Sequence, residues 1–266
     1  MGQYNSSLTR VQPFFDELLD RDPTGHEWLG SILRAMPRSD QVPEQLLADP
    51  GAIDPSTLAS SKGVRGCFEY RVPPSFSFLD WSIRNPDRLE WPKGRAGEFG
   101  AETAEWRRRL INGTPDERVQ AMEEGLQALN DRGVEGSSQQ PWAFEGWTSV
   151  DCCLETDRLI VFIEGKREEG LSVSTAWFPD RNQLVRNLEV IGQLRPEKAG
   201  FVLLLTEETA PDVPGREDVP ASAPHLNSGQ HDQLWARYLG QATWLELCDQ
   251  VGIAFDSLPS KVTEPT

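Results

Sequence analysis

Two apolar runs separated by two polar residues constrain this chain more than any other feature. Within FEGWTSVDCCLETDRLIVFIEGKREEG, Phe144 to Gly170, the segments Ser149 to Thr156 and Leu159 to Lys166 are rich in Val, Ile, Leu, Cys, Thr and Phe. Asp157-Arg158 between them has turn chemistry. A two-residue turn pairs Thr156 with Leu159, and counting outward sets Asp151 opposite Glu164. Opposed residues share a face, and side chains alternate along a strand, so Lys166 joins them. Two carboxylates held roughly 5 Å apart on one sheet face repel each other. A hard, oxygen-preferring divalent cation relieves that repulsion. A neighbouring ammonium can orient or deprotonate an attacking water and balance charge building on a phosphate, which suits phosphodiester hydrolysis.

Asp151, a spacer, and Glu164-Gly165-Lys166 at a strand end resemble the motif of the PD-(D/E)XK nuclease superfamily, with Val150 where the pattern has its proline. The resemblance implies an α/β, restriction-endonuclease-like core, a mixed central sheet flanked by helices. It further implies a metal-dependent nuclease in which Asp151, Glu164 and the Gly165 carbonyl hold Mg²⁺ or Mn²⁺, and Lys166 positions water. Members often supply a polar residue from the helix after the hairpin, here Gln183 with Arg186 and Asn187 close by, and an acidic residue from the helix before it, here Glu123 or Glu124. The implied partner is nucleic acid, DNA favoured over RNA.

The rest of the chain supports that order of elements. Thr114-Pro115-Asp116-Glu117 is a helix start, with threonine as cap, proline at the first position and glutamate three residues on. The helix is expected to reach Asn130 with Val119, Met122, Leu126 and Leu129 inward. Trp142 to Glu145 is expected to begin the sheet. Pro179-Asp180 is expected to cap a helix to Leu194 that buries Leu184, Leu188 and Ile191, and GFVLLLT, Gly200 to Thr206, reads as a buried central strand. The likeness spans Thr114 to Thr206. Residues 1–100 read as a mainly helical accessory region, 101–258 as the core and 259–266 as a polar tail.

Within the first part, Leu8 to Leu19 and Gly25 to Met36 have helical spacing. Cys67 to Val72 reads as a strand, and Phe78 to Ile83 as a short apolar piece. Glu102 to Ile111 reads as a helix with Arg107 to Arg109 mostly outward. After the central strand, Glu207 to Gln230 reads as a long loop holding His225 and His231, followed by helices over Asp232 to Leu239 and Thr243 to Cys248.

Charge narrows the function. With 26 Lys and Arg against 42 Asp and Glu, the net charge is −16, the wrong sign for a non-specific nucleic-acid coat. Arg84 to Arg109, with seven bases against five acids, is the stretch suited to phosphate contact. The acidic balance also fits an interaction module that keeps the nuclease fold, cuts nothing and meets a protein partner through its acidic surface. A structural salt bridge among Asp151, Glu164 and Lys166 is a third reading, one that does not need two opposed carboxylates. Four cysteines without a CxxC pair give neither a disulfide framework nor a zinc site. No apolar run matches a membrane span and the first ten residues lack a signal-peptide core, so the expected location is cytoplasmic, away from membranes.

Overall fold

The computed structural model describes residues 5–54, 68–93, 99–137, 139–167, 169–208 and 213–260. Its centre is the expected hairpin. Strands β2 (Thr148–Glu155) and β3 (Leu159–Gly165) are antiparallel, with Cys152 opposite Ile163 and Glu155 opposite Ile160. Thr156 makes the turn: its N–H donates to the Leu159 carbonyl at 2.9 Å, and its hydroxyl accepts from the N–H groups of Arg158 (3.1 Å) and Leu159 (3.0 Å).

Every residue of β3 is buried, as a strand covered on both faces requires. At about 1.5–3 kcal/mol for each large apolar side chain removed from water, this strand alone is a major part of the driving force. β1 (Phe68–Val72) pairs antiparallel with β2; β4 (Ala199–Thr206) and β5 (Tyr238–Thr243) add in parallel beyond β3. The result is a five-stranded mixed open sheet in the order β1-β2-β3-β4-β5.

Helices cover both faces. α7 (Gln183–Leu194) is the crossover from β3 to β4, and its cap is Asn182, whose side chain accepts from the Val185 N–H, rather than Pro179-Asp180. Leu184, Leu188 and Ile191 are buried as expected. On the other face lie α1 (Gln12–Arg21), α2 (Leu29–Ala35) and α10 (Trp244–Val251), with Phe14 and Trp244 ring to ring at 5.7 Å. α3 (Glu44–Ala48) packs on α2. The described part of residues 1–100 packs into the same unit: β1 is a strand of the sheet, and Val11, Phe14, Leu29 and Leu33 share one apolar core with Phe162 and Leu204.

A second apolar cluster joins α4 (Phe76–Arg84), α5 (Ala101–Asn112) and α6 (Pro115–Arg132) to Trp142, Phe144 and Trp177. The Thr114–Glu117 capping box is present. Three expectations change here. Val119 is half exposed; α6 buries Leu129 as expected and Ala121 and Gly125 besides, while Met122 and Leu126 are half-buried against the cluster. Phe78 to Ile83 belongs to a full helix capped by Ser75. Trp142 to Glu145 is irregular chain leading to β2, not strand.

The expected long loop after β4 is partly helical, with α8 (Val219–Ser222) and α9 (Ser228–Trp235), and Val219, Ser222 and Ala223 are fully buried. β5 occupies the end of what reads as a helix, and Gly240 within it takes φ +98°. Among the described residues no helix is long and apolar enough to cross a membrane. Cys67, Arg95 and most of the 259–266 tail lie outside the described residues.

Candidate active site

The site forms where β2 and β3 part. Their pairing ends at Cys152 and Ile163, which makes Asp151 and Glu164 the next opposed positions. On its other edge β2 stays paired with β1 through Cys152, Val150 and Ser149. The Asp151 side chain fills the gap: its Oδ2 accepts the Gly165 N–H at 2.9 Å in place of a ladder carbonyl. β3 continues into β4, where the Lys166 N–H donates to the Leu205 carbonyl at 2.8 Å. A Cβ on Gly165 would stand 2.4 Å from Val11 Cγ2 and 3.0 Å from Trp244 Cζ2, so the helical turn just ahead of α1 and the start of α10 close that face at this residue.

Glu164 points the other way, to α7. Its Oε1 accepts from Lys166 Nζ at 2.7 Å and Gln183 Nε2 at 2.6 Å, and its Oε2 accepts from Asn187 Nδ2 at 3.3 Å. Gln183 and Asn187, one turn apart on α7, reach it together, as i,i+4 residues must. Asp151, Glu164, Lys166, Gly165 and Gln183 are thus brought into one cluster, and Asn187 completes it. Glu164 is buried and Lys166 is 14% exposed at its side chain.

Burial, followed by the nearby Glu164 charge, pushes the Asp151 carboxyl up to about 7 against the pull of the Gly165 N–H and Lys166. Burial also raises Glu164, in spite of Lys166, Asn187 and Gln183. Desolvation alone lowers Lys166, yet Glu164 and Asp151 hold it above its ordinary value, so it stays an ammonium. Two crowded carboxylates and one cation leave an excess of negative charge.

That donor set fits a hard cation. Among the described residues no group of three or more His, Cys, Asp or Glu is placed to hold a metal. Mg²⁺ needs only one or two carboxylates when water and substrate oxygens complete the shell. The raised Asp151 and Glu164 are carboxylates whose charge is penalised, which is the state a bound cation relieves.

The other expected acids fall elsewhere. Glu123 and Glu124 are exposed on α6, Glu124 held by Arg109 at 2.8 Å. Neither is a hydrogen-bond or ion-pair partner of Asp151 or Glu164 among the described residues. Among the described residues three bases of the basic stretch are ion-paired, Arg84 with Asp80 (2.7 Å), Arg108 with Glu105 (2.8 Å) and Glu117 (3.3 Å), and Arg109 with Glu124. Arg107 is not outward at all but buried.

A second polar cluster, which the sequence does not disclose, begins one turn along α7. Arg181, fully buried, lies 2.9 Å from both Glu145 and Glu189 and sits over the Phe78 ring at 3.9 Å. Its Nη1 N–H goes to the Ser222 carbonyl, so the Glu189 Oε2 contact is an ion pair rather than an aligned hydrogen bond. Arg186 adds to Glu145. Glu189 Oε1 accepts from Ser75 and Ser77 and lies 2.7 Å from His225 Nε2. His225 and His231 are therefore not loop surface residues: both are inside, His231 against the Ala223 carbonyl at 2.9 Å. Arg181 and Glu189 apart, the partners around them lie 36 or more residues away in sequence, and the one available signal is the density of Arg and Asn in RNQLVRN.

No protein-family model, curated protein or solved structure matches this chain.

Proposed function

We propose that this chain is a metal-dependent phosphodiester hydrolase with a restriction-endonuclease-like core, acting on nucleic acid, DNA before RNA. One observation carries the reading: two carboxylates and an ammonium from parting strands meet in a buried cluster, with Gln183 and Asn187 fixing the Glu164 carboxylate from α7. Asp151, Glu164 and the Gly165 carbonyl would hold Mg²⁺ or Mn²⁺, which when bound supplies Lewis acidity at a phosphoryl oxygen. The chain's own groups do the remaining work. Lys166, held protonated, donates hydrogen bonds that orient the attacking water and offset charge on the phosphate. Gln183 and Asn187 keep Glu164 in a single orientation.

The test is a cleavage assay with plasmid, linear double-stranded DNA, single-stranded DNA and RNA, in Mg²⁺, Mn²⁺ or chelator. Wild type is expected to cut at least one of these with metal only, and Lys166→Ala or Glu164→Gln to lose on the order of 10³-fold in rate. Cleavage that survives in both variants, or no cleavage of any substrate in either metal, overturns the reading in favour of a non-catalytic module.

A further inference from the structure

Away from the carboxylates, α5 and the chain leading into β2 enclose a cleft of about 480 Å³ that the candidate site does not use. Its walls are set by local structure. Arg71 of β1 opposes Ser149, which carries Trp147 just ahead of β2 alongside it, and the exposed Arg71 guanidinium lies 5.5 Å from the Trp147 ring centroid. Ser137 closes the short helical turn after α6. Arg107 comes from α5, buried between the rings of Phe99 (4.3 Å) and Trp177 (4.6 Å), and donates to the carbonyls of Pro141 (2.8 Å) and Ala143 (3.1 Å).

Two wall atoms stand out. Ser137 Oγ and Trp147 Nε1 are buried and have no hydrogen-bond partner among the described residues, although Ser137 as a whole is 1% exposed. Buried polar atoms are ordinarily paired, so two left unmet on residues of one cleft set this wall apart. The chemistry of the wall defines what the cleft would hold. An indole N–H and guanidinium groups only donate. Neither Arg71 nor Arg107 has a carboxylate partner among the described residues, a local reversal of sign in a chain of net charge −16. The ligand must therefore be an anion rich in acceptors, and arginine favours phosphate. The Trp147 and Phe99 rings add flat apolar surface of the kind on which bases stack. The volume lies in the range of small-molecule sites.

We propose that this cleft binds a nucleotide unit, its phosphate facing Arg71 and Arg107 and its base against the Trp147 ring. Trp147 precedes Asp151 by four positions, roughly 13 Å along a strand. In a phosphodiester hydrolase the cleft is then a subsite for a nucleotide beside the one being cut. That extension rests on the function proposed above, whereas nucleotide binding itself does not.

The test is isothermal titration of AMP, dAMP, adenosine and inorganic phosphate into the whole protein in chelator, for wild type, Trp147→Phe, Arg71→Gln and Lys166→Ala. Expected are saturable one-to-one binding of a nucleoside monophosphate, at least tenfold weaker binding of adenosine and phosphate, and at least tenfold loss in Trp147→Phe and Arg71→Gln. Lys166→Ala should bind as wild type does, so loss of cleavage and loss of binding separate. Arg71 is exposed, so its variant tests the cleft even where Trp147→Phe disturbs packing. No saturable binding at millimolar nucleotide, phosphate bound as tightly as AMP, or affinity unchanged in both cleft variants overturns the proposal.

Discussion

α7 serves two buried charge clusters that have been solved in opposite ways. Around Arg181, each carboxylate has a guanidinium: burial would raise Glu189, yet Arg181 and His225 outweigh it and pull it down to about 2. Around Asp151 the balance is left open, and burial with a neighbouring carboxylate pushes the group up to about 7. The first cluster is complete as it stands. The second keeps carboxylates that prefer a proton or a cation, the arrangement on which the proposed function rests.

The difference can be broken by removing the cation from the complete cluster. Arg181→Ala leaves Glu145 and Glu189 buried without their main partner, and is expected to cost about 3–5 kcal/mol. Chemical denaturation should show a protein largely unfolded in dilute buffer. The same experiment on Glu164→Gln should show a folded protein near wild-type stability, because the amide keeps the shape and can still meet Gln183 and Asn187.

pH sharpens the contrast. Glu189 sits below its unfolded value, so its contribution of about 3 kcal/mol is present above pH 4.5 and is lost as pH falls toward 2. Asp151 sits above its unfolded value, so the folded state holds a proton that the unfolded state has released. Stability therefore falls by about 4 kcal/mol between pH 4 and pH 7 and is level above. Urea midpoints from pH 2 to 9 should rise and then decline. Asp151→Asn is expected to flatten the neutral limb and leave the acid limb. A decline of equal size in that variant would mean that Asp151 is not its source.

Metal should act on the same limb. At a concentration about a hundredfold above its dissociation constant, Mn²⁺ is expected to stabilise wild type by about 2–3 kcal/mol at pH 8. The gain should be smaller at pH 5, where Asp151 holds its proton, and absent in Asp151→Asn; thermal melts with and without chelator read this directly. The smallest effect belongs to neither cluster: Val119→Ala, half exposed on α6, should change stability by no more than about 0.5 kcal/mol.

The two clusters also differ in how far they can be read from the chain. Asp151, Glu164 and Lys166 lie within sixteen residues and are registered by one tight turn, so strand parity and turn length suffice to bring them together. Gln183 and Asn187 follow from helical spacing once α7 is recognised. The Arg181 cluster joins residues from before α4 to after α8, and no local pattern encodes that distance. β5 was obscured because YLGQAT is short and broken by a glycine with positive φ. The inward side of α6 was misread because its contacts use Ala121 and Gly125, which let the neighbouring rings approach, while the larger Val119 stands outside. Arg107 was read as surface because its charge is met by carbonyls and ring faces, which carry no sequence signature.

Gly165 sets a limit on how the candidate site could be altered. It lies between two residues proposed to carry the chemistry, but its own restriction is spatial, since any side chain meets Val11 and Trp244. In a saturation library sorted only for folded protein, position 165 should collapse to one residue while Lys166 accepts many. Sorting the same library for cleavage should then empty position 166 and leave 165 as it was, so two screens on adjacent codons would separate what the fold demands from what the reaction demands.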